Sequence, residues 1–401
     1  MRIPHLRQRL QDLGAKPCHE DRLLRGWSQV RSYDIKGSPA ETFFPAALRK
    51  ELPAIEAELN RLARLHGEYP AKNVPRQTDL LPLPPGEGQG EGSNSTSDSL
   101  TLALSRGERG LDCHFVDDEV ARLLVELHDG QMVESVLLPR GGLCVSTQVG
   151  CAVGCVFCMS GRDGLIRQLG SAEIVAQVVL ARKRRAVSKV VFMGMGEPAH
   201  NLDNVLEAID VLGMQGNIGH KNLVLSTVGD VRVFERLPLE KVKPALAISL
   251  HSTDTELRAK LLPHAPNISV EELVERAEVY ARATGYPTQY QWTLIEGVND
   301  SDAEVERIAQ LLKGKYALMN FIPFNAVDGL PYRRPSTERT AEMMHALNRQ
   351  GIYSRVRDSA GQEVEGACGQ LRARATKAPK TSSLRRMEER VQTPSNTGDQ
   401  A

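Results

Sequence analysis

The sequence has no excess of charge of either sign, because 50 lysines and arginines are balanced by 50 aspartates and glutamates. A uniformly positive surface is therefore excluded, and a nucleic-acid partner would have to bind a local basic patch. No apolar run approaches the length of about 18 residues that a membrane-spanning helix needs, so we expect no membrane association. No internal repeat with a period of about 20–50 residues is present, which argues against a solenoid or a propeller.

The sequence is also poor in cysteine and shows no secretory signal, since the arginine-rich N-terminus has no apolar core segment. Seven cysteines in 401 residues, three of them clustered, do not suggest a disulfide framework. We therefore expect a cytoplasmic protein in a reducing environment. The length allows one large or two ordinary domains, and the hydrophobic content of 41% supports a substantial core.

The clustered cysteines, Cys151, Cys155 and Cys158, have the spacing CxxxCxxC. A structural zinc site takes four protein ligands, and no second Cys or His pair follows at zinc-finger spacing. A 4Fe-4S cluster also takes four ligands, one for each iron, so three cysteines leave one iron open to a substrate or cofactor. The pattern favours such a cluster over the alternatives, which are three structural cysteines or a disulfide pair.

Composition divides the chain into four parts. Residues 1–75 are predicted to form a small helical domain, because leucines recur in them at helical spacing. Residues 76–110 are rich in Gly, Pro and Ser and cannot bury enough apolar surface to offset their ordering entropy, so we expect a disordered insertion or linker. Residues 111–374 are predicted to form the catalytic domain, and the charged, aperiodic residues 375–401 a flexible tail.

Within the catalytic domain, two alternating runs around Asp129-Gly130 predict a β-hairpin. From residue 143 onward predicted strands alternate with helices, which is typical of an α/β fold with a parallel sheet. The strands are predicted at 143–147, 189–193, 222–226, 245–250, 289–295, 317–322 and 352–356. About six βα units are too few for a closed eightfold barrel, so we expect a partial (β/α)6 barrel with its site at the carboxyl ends of the strands.

Polar residues and glycines follow these predicted strands. Gly196 and Glu197 lie in a glycine-rich turn, where backbone groups can approach a ligand and the carboxylate can hold an ammonium or hydroxyl group. The other candidates at strand ends are Ser226, Ser249, Leu250, His251 and Asn325. Small polar groups there suit a ribose, a carboxylate and an adenine edge. The alternative is that the serines bond to strand ends and the histidine is satisfied within the core.

Four cysteines lie outside the cluster motif. Cys144 precedes it by too many residues to belong to the same turn, and Cys368 is flanked by small residues that would let a thiol enter a crowded site. Taken alone, each would more often be a buried, unreactive cysteine. We interpret Cys18 and Cys113 as structural.

Several motifs together carry a resemblance to a known family. They are the CxxxCxxC segment with Phe157 before its last cysteine, Met193-Gly-Met-Gly-Glu-Pro198, Ala247-Ile-Ser-Leu-His251, Asn320-Phe-Ile-Pro-Phe-Asn325 and Ala367-Cys-Gly-Gln-Leu371. In this order they resemble the radical S-adenosylmethionine (SAM) adenine-C2 methyltransferases of large-subunit rRNA and tRNA, which are related to the C8 rRNA resistance methyltransferases. The resemblance extends over about residues 113–374 and more faintly into the N-terminal helices, which echo an accessory RNA-binding domain.

The resemblance implies one 4Fe-4S cluster held by Cys151, Cys155 and Cys158, with SAM on the open iron. It places SAM among the strand-end residues Gly196, Glu197, Ser226, Ser249, Leu250, His251 and Asn325. Two SAM molecules are consumed per turnover. One donates its methyl group, and the other is split by an electron from the cluster to give a 5′-deoxyadenosyl radical.

The resemblance also assigns three residues outside the cluster to the chemistry. Cys368 would carry the methyl group, whose hydrogen the radical abstracts before the carbon adds to the base. Glu134 would remove the proton from the ring carbon. Cys144 would then attack Cys368 and release the product, leaving a transient disulfide.

The expected partners are rRNA or tRNA and an electron donor such as flavodoxin or ferredoxin, and we expect a monomer. Residues 357–361 lack an arginine that is usual in the family, which puts the RNA contacts in more doubt than the chemistry. Two other functions stay open at this point: a radical SAM methyl-carrier enzyme for a different RNA base or a non-RNA substrate, and a non-catalytic zinc- or RNA-binding protein.

Overall fold

A computed structural model of the chain describes residues 1–71, 119–327, 329–357 and 359–373. The expected insertion at 76–110, the expected tail at 375–401 and Cys113 lie outside the described residues. In the part of the chain that is described, no helix is both long and apolar enough to cross a bilayer.

The chain begins with helices and continues into alternating strands and helices. The helices are α1 (Ile3–Asp12), α2 (Pro17–Gln29), α3 (Ala40–Phe43), α4 (Ala46–Arg61), α5 (Ser171–Arg182), α6 (Leu202–Met214), α7 (Val231–Arg236), α8 (Thr255–Leu261), α9 (Val270–Thr284), α10 (Asp302–Leu312) and α11 (Thr337–Arg349). The strands are β1 (Ala63–Pro70), β2 (Ala121–Leu127), β3 (Met132–Leu138), β4 (Gly142–Cys144), β5 (Gln148–Gly150), β6 (Leu165–Gln168), β7 (Lys189–Phe192), β8 (Leu223–Thr227), β9 (Ala245–Ser249), β10 (Thr288–Leu294), β11 (Ala317–Pro323) and β12 (Ser354–Val356).

Ten of the described strands form one sheet in the order β1-β2-β3-β4-β7-β8-β9-β10-β11-β12. The strands β1 to β4 pair antiparallel, and those from β4 to β12 pair parallel. The predicted hairpin and the predicted parallel α/β sheet are thus confirmed. The parallel strands are joined by helical crossovers, so their carboxyl ends lie on one side of the sheet.

The sheet is strongly curved. Arg357 Nη1, just after β12, lies 3.5 Å from Met193 Sδ, just after β7, although four strands separate the two in the sheet. The same nitrogen lies 3.5 Å from Gln291 Oε1 on β10. Side chains from distant strands can meet in this way only if the sheet bends around a shared interior, as a partial barrel does.

The expectation that residues 1–75 are helical is wrong for one segment. The helices α1 to α4 are present, but Ala63–Pro70 forms β1, an edge strand that pairs antiparallel with β2. The helices also share one continuous hydrophobic core with the sheet, to which Leu6, Leu24 and Leu48 contribute. The boundary proposed near residue 75 therefore falls just beyond a strand of the main sheet.

The paired strands β1 and β2 flank the insertion, and their geometry allows a test of whether the insertion stabilises the fold. Pro70 pairs with Ala121, and Ala71 N donates to Val120 O at 2.8 Å, so the chain leaves the sheet and returns to it at the same point. Deleting residues 78–108 should therefore leave the register of β1 and β2 unchanged. We expect a change in unfolding free energy of about 1 kcal/mol or less, because loop-closure entropy changes by only about 0.6 kcal/mol per doubling of length. A much larger fall in unfolding free energy, measured by denaturant unfolding of both proteins, would instead show that the insertion stabilises the fold.

Candidate active site

The three clustered cysteines lie in the loop that follows β5. Cys151 is buried, and Cys155 and Cys158 are half-buried. A left-handed glycine, Gly154 (φ 66°), and a hydrogen bond from Cys158 N to Cys155 O at 3.0 Å turn the loop back on itself. Hydrogen bonding of Val156 N to Leu261 O at 3.1 Å ties the loop to the end of α8.

The donor set of this loop suits an iron–sulfur cluster better than a single metal ion. The pKa of Cys151 is raised to about 12, mainly by burial, and the charge of Cys158 contributes to the rise. Such thiols become thiolates when a cationic centre compensates their charge. Among the described residues, no group of three or more His, Cys, Asp or Glu side chains is arranged around one metal ion. A 4Fe-4S cluster binds each thiolate through a different iron, so its ligands do not converge on one point.

Glu197 connects the ends of two neighbouring strands beside this loop. It follows β7, and its carboxylate accepts hydrogen bonds from Ala199 N at 3.0 Å and from Val228 N, just after β8, at 3.1 Å. Its own N–H donates to Gln148 Oε1 at 2.8 Å. Burial raises the pKa of Glu197 to about 7, although hydrogen bonds from Thr227, Ala199 and Val228 oppose that rise. A cationic ligand would stabilise the ionised form of this buried carboxylate.

The turn that presents Glu197 requires glycine at Gly196. Its φ is +103°, and a Cβ atom there would lie 2.6 Å from Gln148 Cβ and 2.8 Å from the backbone nitrogen of that residue. We expect Gly196→Ala to lower the free energy of unfolding by about 3 kcal/mol, since backbone strain costs about 1–2 kcal/mol and overpacking about 1–3 kcal/mol. A cationic ligand of Glu197 should also bind more weakly, because the carboxylate is displaced.

Gly297 provides a matched control for this prediction. Its φ is also positive, at +68°, but no atom lies within 4 Å of a Cβ built on it. Gly297→Ala should therefore show the backbone cost alone, about 1 kcal/mol. Denaturant unfolding of both variants measures the difference. Equal costs at the two positions would mean that the contact with Gln148 does not constrain the turn.

The candidates at the ends of β8 and β9 lie on adjacent strands. Ser226 pairs in register with Ala247, two residues before Ser249. Both serines are half-buried, so a ligand can reach them. Leu250 is fully buried, and its backbone N–H donates to Gln291 O at 3.0 Å, so it shapes the turn.

His251 reaches back to the cysteine loop. Its φ of 60° places it in the left-handed region, and its ring centroid lies 4.8 Å from that of Phe157. Its Nδ1 accepts a hydrogen bond from Thr293 N at 2.9 Å. Burial, assisted by the charge of Arg258, lowers the pKa of His251 to about 3, so the imidazole is neutral. One ring nitrogen is thus satisfied by the backbone, while the ring packs against the motif.

Asn325 and Cys368 meet beside the same loop. Asn325 Nδ2 donates to Cys368 O at 2.9 Å and to Ser359 Oγ at 3.1 Å, whereas its buried Oδ1 has no partner among the described residues. The next residue, Gly369 (φ 87°), accepts a hydrogen bond from Met159 N at 2.7 Å. These contacts hold the segment that carries Cys368 against the cysteine loop.

Cys144 and Cys368 come close enough to interact electrostatically. Cys144 ends β4 and is buried. Its pKa is raised to about 12, mainly by burial and also by the charge of Cys368, whereas the charge of Arg357 opposes the rise. The charge of Cys368 also raises the pKa of Cys158 in the motif, where burial is the main cause. All the described cysteines are free thiols, so a disulfide between Cys144 and Cys368 is not supported by the structure.

Glu134 lies on β3, and it is almost completely buried and tightly held. Its carboxylate accepts hydrogen bonds from Arg122 Nη1 and from Arg372 N, the latter at 2.9 Å. Arg122 in turn donates through Nε to Val364 O at 2.6 Å and lies 4.4 Å from the centroid of the Tyr69 ring. Glu134 therefore anchors both ends of the segment that contains Cys368.

Sequence reasoning missed one residue of the site, Arg258 on α8. It is 3% exposed, and its Nη2 donates to Ser249 O at 3.0 Å and also to Val228 O. Its buried Nε has no partner among the described residues. Its positive charge interacts electrostatically with Cys155 and Glu197, so it adds a buried cation to the site. Nothing in the local sequence distinguishes it from a surface arginine.

Comparisons with known proteins agree with this geometry. The family model of the Radical SAM superfamily matches residues 145–312. A probable RNA methyltransferase of Pseudomonas aeruginosa strain UCBPP-PA14 is 59% identical over 378 residues, which cover 94% of this chain and 96% of that protein. A probable RNA methyltransferase of Leptothrix cholodnii is 58% identical over 97% of this chain and 98% of its own length. The crystal structure of a radical SAM methyltransferase from Sphaerobacter thermophilus superposes with a TM-score of 0.71 at 32% identity, covering 93% of this chain and 98% of that one.

Proposed function

Because the chain belongs to the radical SAM superfamily, we propose that it transfers a methyl group from SAM to an adenine carbon, most simply carbon 2, of large-subunit rRNA or tRNA. The observation that carries the proposal is the position of two thiols beside the CxxxCxxC loop. Asn325 and Met159 hold the segment of Cys368 against that loop, and Cys144, at the end of β4, lies within electrostatic range of Cys368. A radical SAM enzyme that only abstracts hydrogen needs no such pair of thiols. The relatives are named probable RNA methyltransferases, which supports RNA as the substrate.

The cofactor residues divide into two groups. Cys151, Cys155 and Cys158 would hold one 4Fe-4S cluster, which supplies the electron that splits SAM into methionine and a 5′-deoxyadenosyl radical. Glu197 suits the ammonium group of SAM, since a cation would stabilise its buried carboxylate. Polar groups for the ribose, the carboxylate and the adenine edge are available on Ser226, Ser249, His251 and Asn325.

The methyl group would reach the base through Cys368. Its thiolate attacks the methyl carbon of a first SAM, forming a C–S bond and releasing S-adenosylhomocysteine. After hydrogen abstraction by the radical from a second SAM, the sulfur-bound carbon adds to the ring carbon. The ring proton would then pass to Glu134, and the remaining electron would return to the oxidised cluster. Cys368 is now joined to the RNA through a thioether.

Release would require Cys144. Its thiolate attacks the sulfur of Cys368, so that an S–S bond forms while the bond between sulfur and the transferred carbon breaks. That carbon takes up a proton and becomes the methyl group of the product. A thiol reductant must then restore the two cysteines, and a one-electron donor of the flavodoxin or ferredoxin type must reduce the cluster. The oxidation of two thiols balances the reduction of the methylene carbon.

Mass spectrometry of rRNA and tRNA nucleosides tests the proposal. A deletion strain should lack one methylated adenosine that the parent contains, and a plasmid copy of the gene should restore it. A plasmid that encodes Cys368→Ala should fail to do so. The isomer that is lost distinguishes carbon 2 from carbon 8. An unchanged set of methylated nucleosides in the deletion strain would contradict RNA methylation and favour a different substrate.

A further inference from the structure

Three cations face the interior of the partial barrel. Lys189 begins β7, and it shares a strand face with Met193 because side chains alternate along a strand. Arg357 contacts Met193 from the opposite side of the barrel, and Arg355 lies on the same face of β12 as Arg357. Burial lowers the pKa of Lys189, and the charges of Arg357 and Arg355 act in the same direction, as the placement of the three groups on one face leads us to expect.

No acidic partner of these cations is found in the described part of the chain. Within the described residues, no carboxylate forms an ion pair with Lys189, Arg355 or Arg357. The charged or polar groups that shift the pKa of Lys189 and Arg355 are the neighbouring arginines and a tyrosine. Elsewhere the chain pairs its arginines freely, as in the contacts of Arg167 with Asp129 and of Arg339 with Asp302. Three neighbouring cations without a counter-charge repel each other, and this favours binding of an anion.

The neighbours of the cluster supply hydrogen-bond donors rather than charge. Arg355 Nε donates to Asn320 Oδ1 at 2.6 Å, which orients the guanidinium and leaves its terminal nitrogens available. Asn320 Nδ2 is buried without an acceptor among the described residues. Lys189 and Arg355 are exposed to solvent, and Arg357 is half-buried, so an anion can reach the cluster from outside.

The cluster is also next to the chemistry. The charge of Arg357 acts on Cys144, which itself interacts with Cys368. The phosphates of a nucleotide are joined to its base through the ribose, so a base that reaches these cysteines brings its phosphates into their neighbourhood. We propose that Lys189, Arg355 and Arg357 bind a phosphodiester of the RNA strand beside the target nucleotide. This inference rests on the proposed function, and it gives a chain of zero net charge the local basic patch that RNA binding needs.

The test is the salt dependence of RNA binding by the full-length protein, reconstituted anaerobically with its cluster and SAM. Fluorescent oligoadenylate is titrated at several salt concentrations with wild type and with Lys189→Gln/Arg355→Gln. Loss of one phosphate contact should reduce the slope of log K against log salt by about 0.7–1 and weaken binding at low salt. The control is Lys313→Gln/Arg349→Gln, which removes two exposed cations from outer helices and should leave the slope unchanged. Iron content and thermal unfolding confirm that each variant is folded.

The possible outcomes are distinct. Equal slopes for wild type and the Lys189→Gln/Arg355→Gln variant would overturn the phosphodiester site. The site would also be overturned if the variant kept the wild-type slope but its RNA binding were no longer inhibited by inorganic phosphate. The three cations would then bind free phosphate rather than the RNA strand. A parallel fall in SAM affinity would assign the cations to the SAM carboxylate instead.

The binding data and the nucleoside data test different claims. If the slopes differ but the deletion strain keeps all its methylated nucleosides, the proposed RNA methylation is contradicted and the phosphodiester site is supported. If a nucleoside is lost and the slopes are equal, only the site fails.

Discussion

Alanine in place of Cys151, Cys155 or Cys158 should remove iron binding and SAM cleavage together. The three thiols are the minimum ligand set for a cluster with one open iron, and each would bind a different iron. No spare thiol lies at the right spacing, because Cys144 ends the neighbouring strand β4 and Cys368 is held by Asn325. We expect iron per chain to fall from about four to near zero in each variant.

Anaerobic reconstitution followed by iron analysis and SAM cleavage assays measures this effect. Cys144→Ala is the matched control, since it removes a buried thiol beside the site but not a proposed ligand. It should keep the full iron load and release 5′-deoxyadenosine from SAM. Should a variant of Cys151, Cys155 or Cys158 also keep a full load, the assignment of that cysteine would be wrong.

Alanine substitution of Cys368 and of Cys144 should stop the reaction at two different steps. Cys368→Ala should abolish product and also methylated protein, because the methyl group then has no acceptor. Cys144→Ala should still accept the methyl group and add it to the base, since these steps need only Cys368, SAM and the cluster. Product should be lost in both variants by at least about a thousandfold, the size of effect expected when a covalent step is removed.

The exposed Cys18 provides the control for thiol loss in general. It lies on α2 in the N-terminal region, and Cys18→Ala should methylate RNA at the rate of the wild type. Peptide mass spectrometry should find S-methylcysteine at residue 368 in wild type and in Cys144→Ala, and none in Cys368→Ala. A methyl group on any other cysteine would reassign the carrier.

Much of the fold could be predicted because local signals and tertiary structure agree. The parallel strands are short apolar runs separated by helices, and such alternation allows few topologies. The strand β1 could not be predicted, because it is an edge strand that contains Gly67 and Pro70 and buries only one residue fully, Ala63. Its conformation depends on pairing with β2, which follows an insertion of unrelated composition.

The site also contains residues that local sequence predicts and residues that depend on tertiary structure. The cysteine motif and the turn at Glu197 are local, so their spacing indicates the chemistry. The electrostatic interaction of Cys144 with Cys368 joins segments that are distant in sequence, and only the resemblance to a family suggested it. The pairing of Glu134 with Arg122 and the buried cation Arg258 were not foreseen, since both depend on chain segments that are distant in sequence.

A denaturing gel of Cys144→Ala after incubation with RNA, SAM and reductant tests the central claim most directly. Without Cys144 nothing attacks the thioether, so the enzyme should accumulate in covalent linkage to RNA. We predict a shifted band that disappears on treatment with RNase and is absent from Cys368→Ala. Normal turnover by Cys144→Ala, or an equal adduct in Cys368→Ala, would contradict the transfer of the methyl group through Cys368.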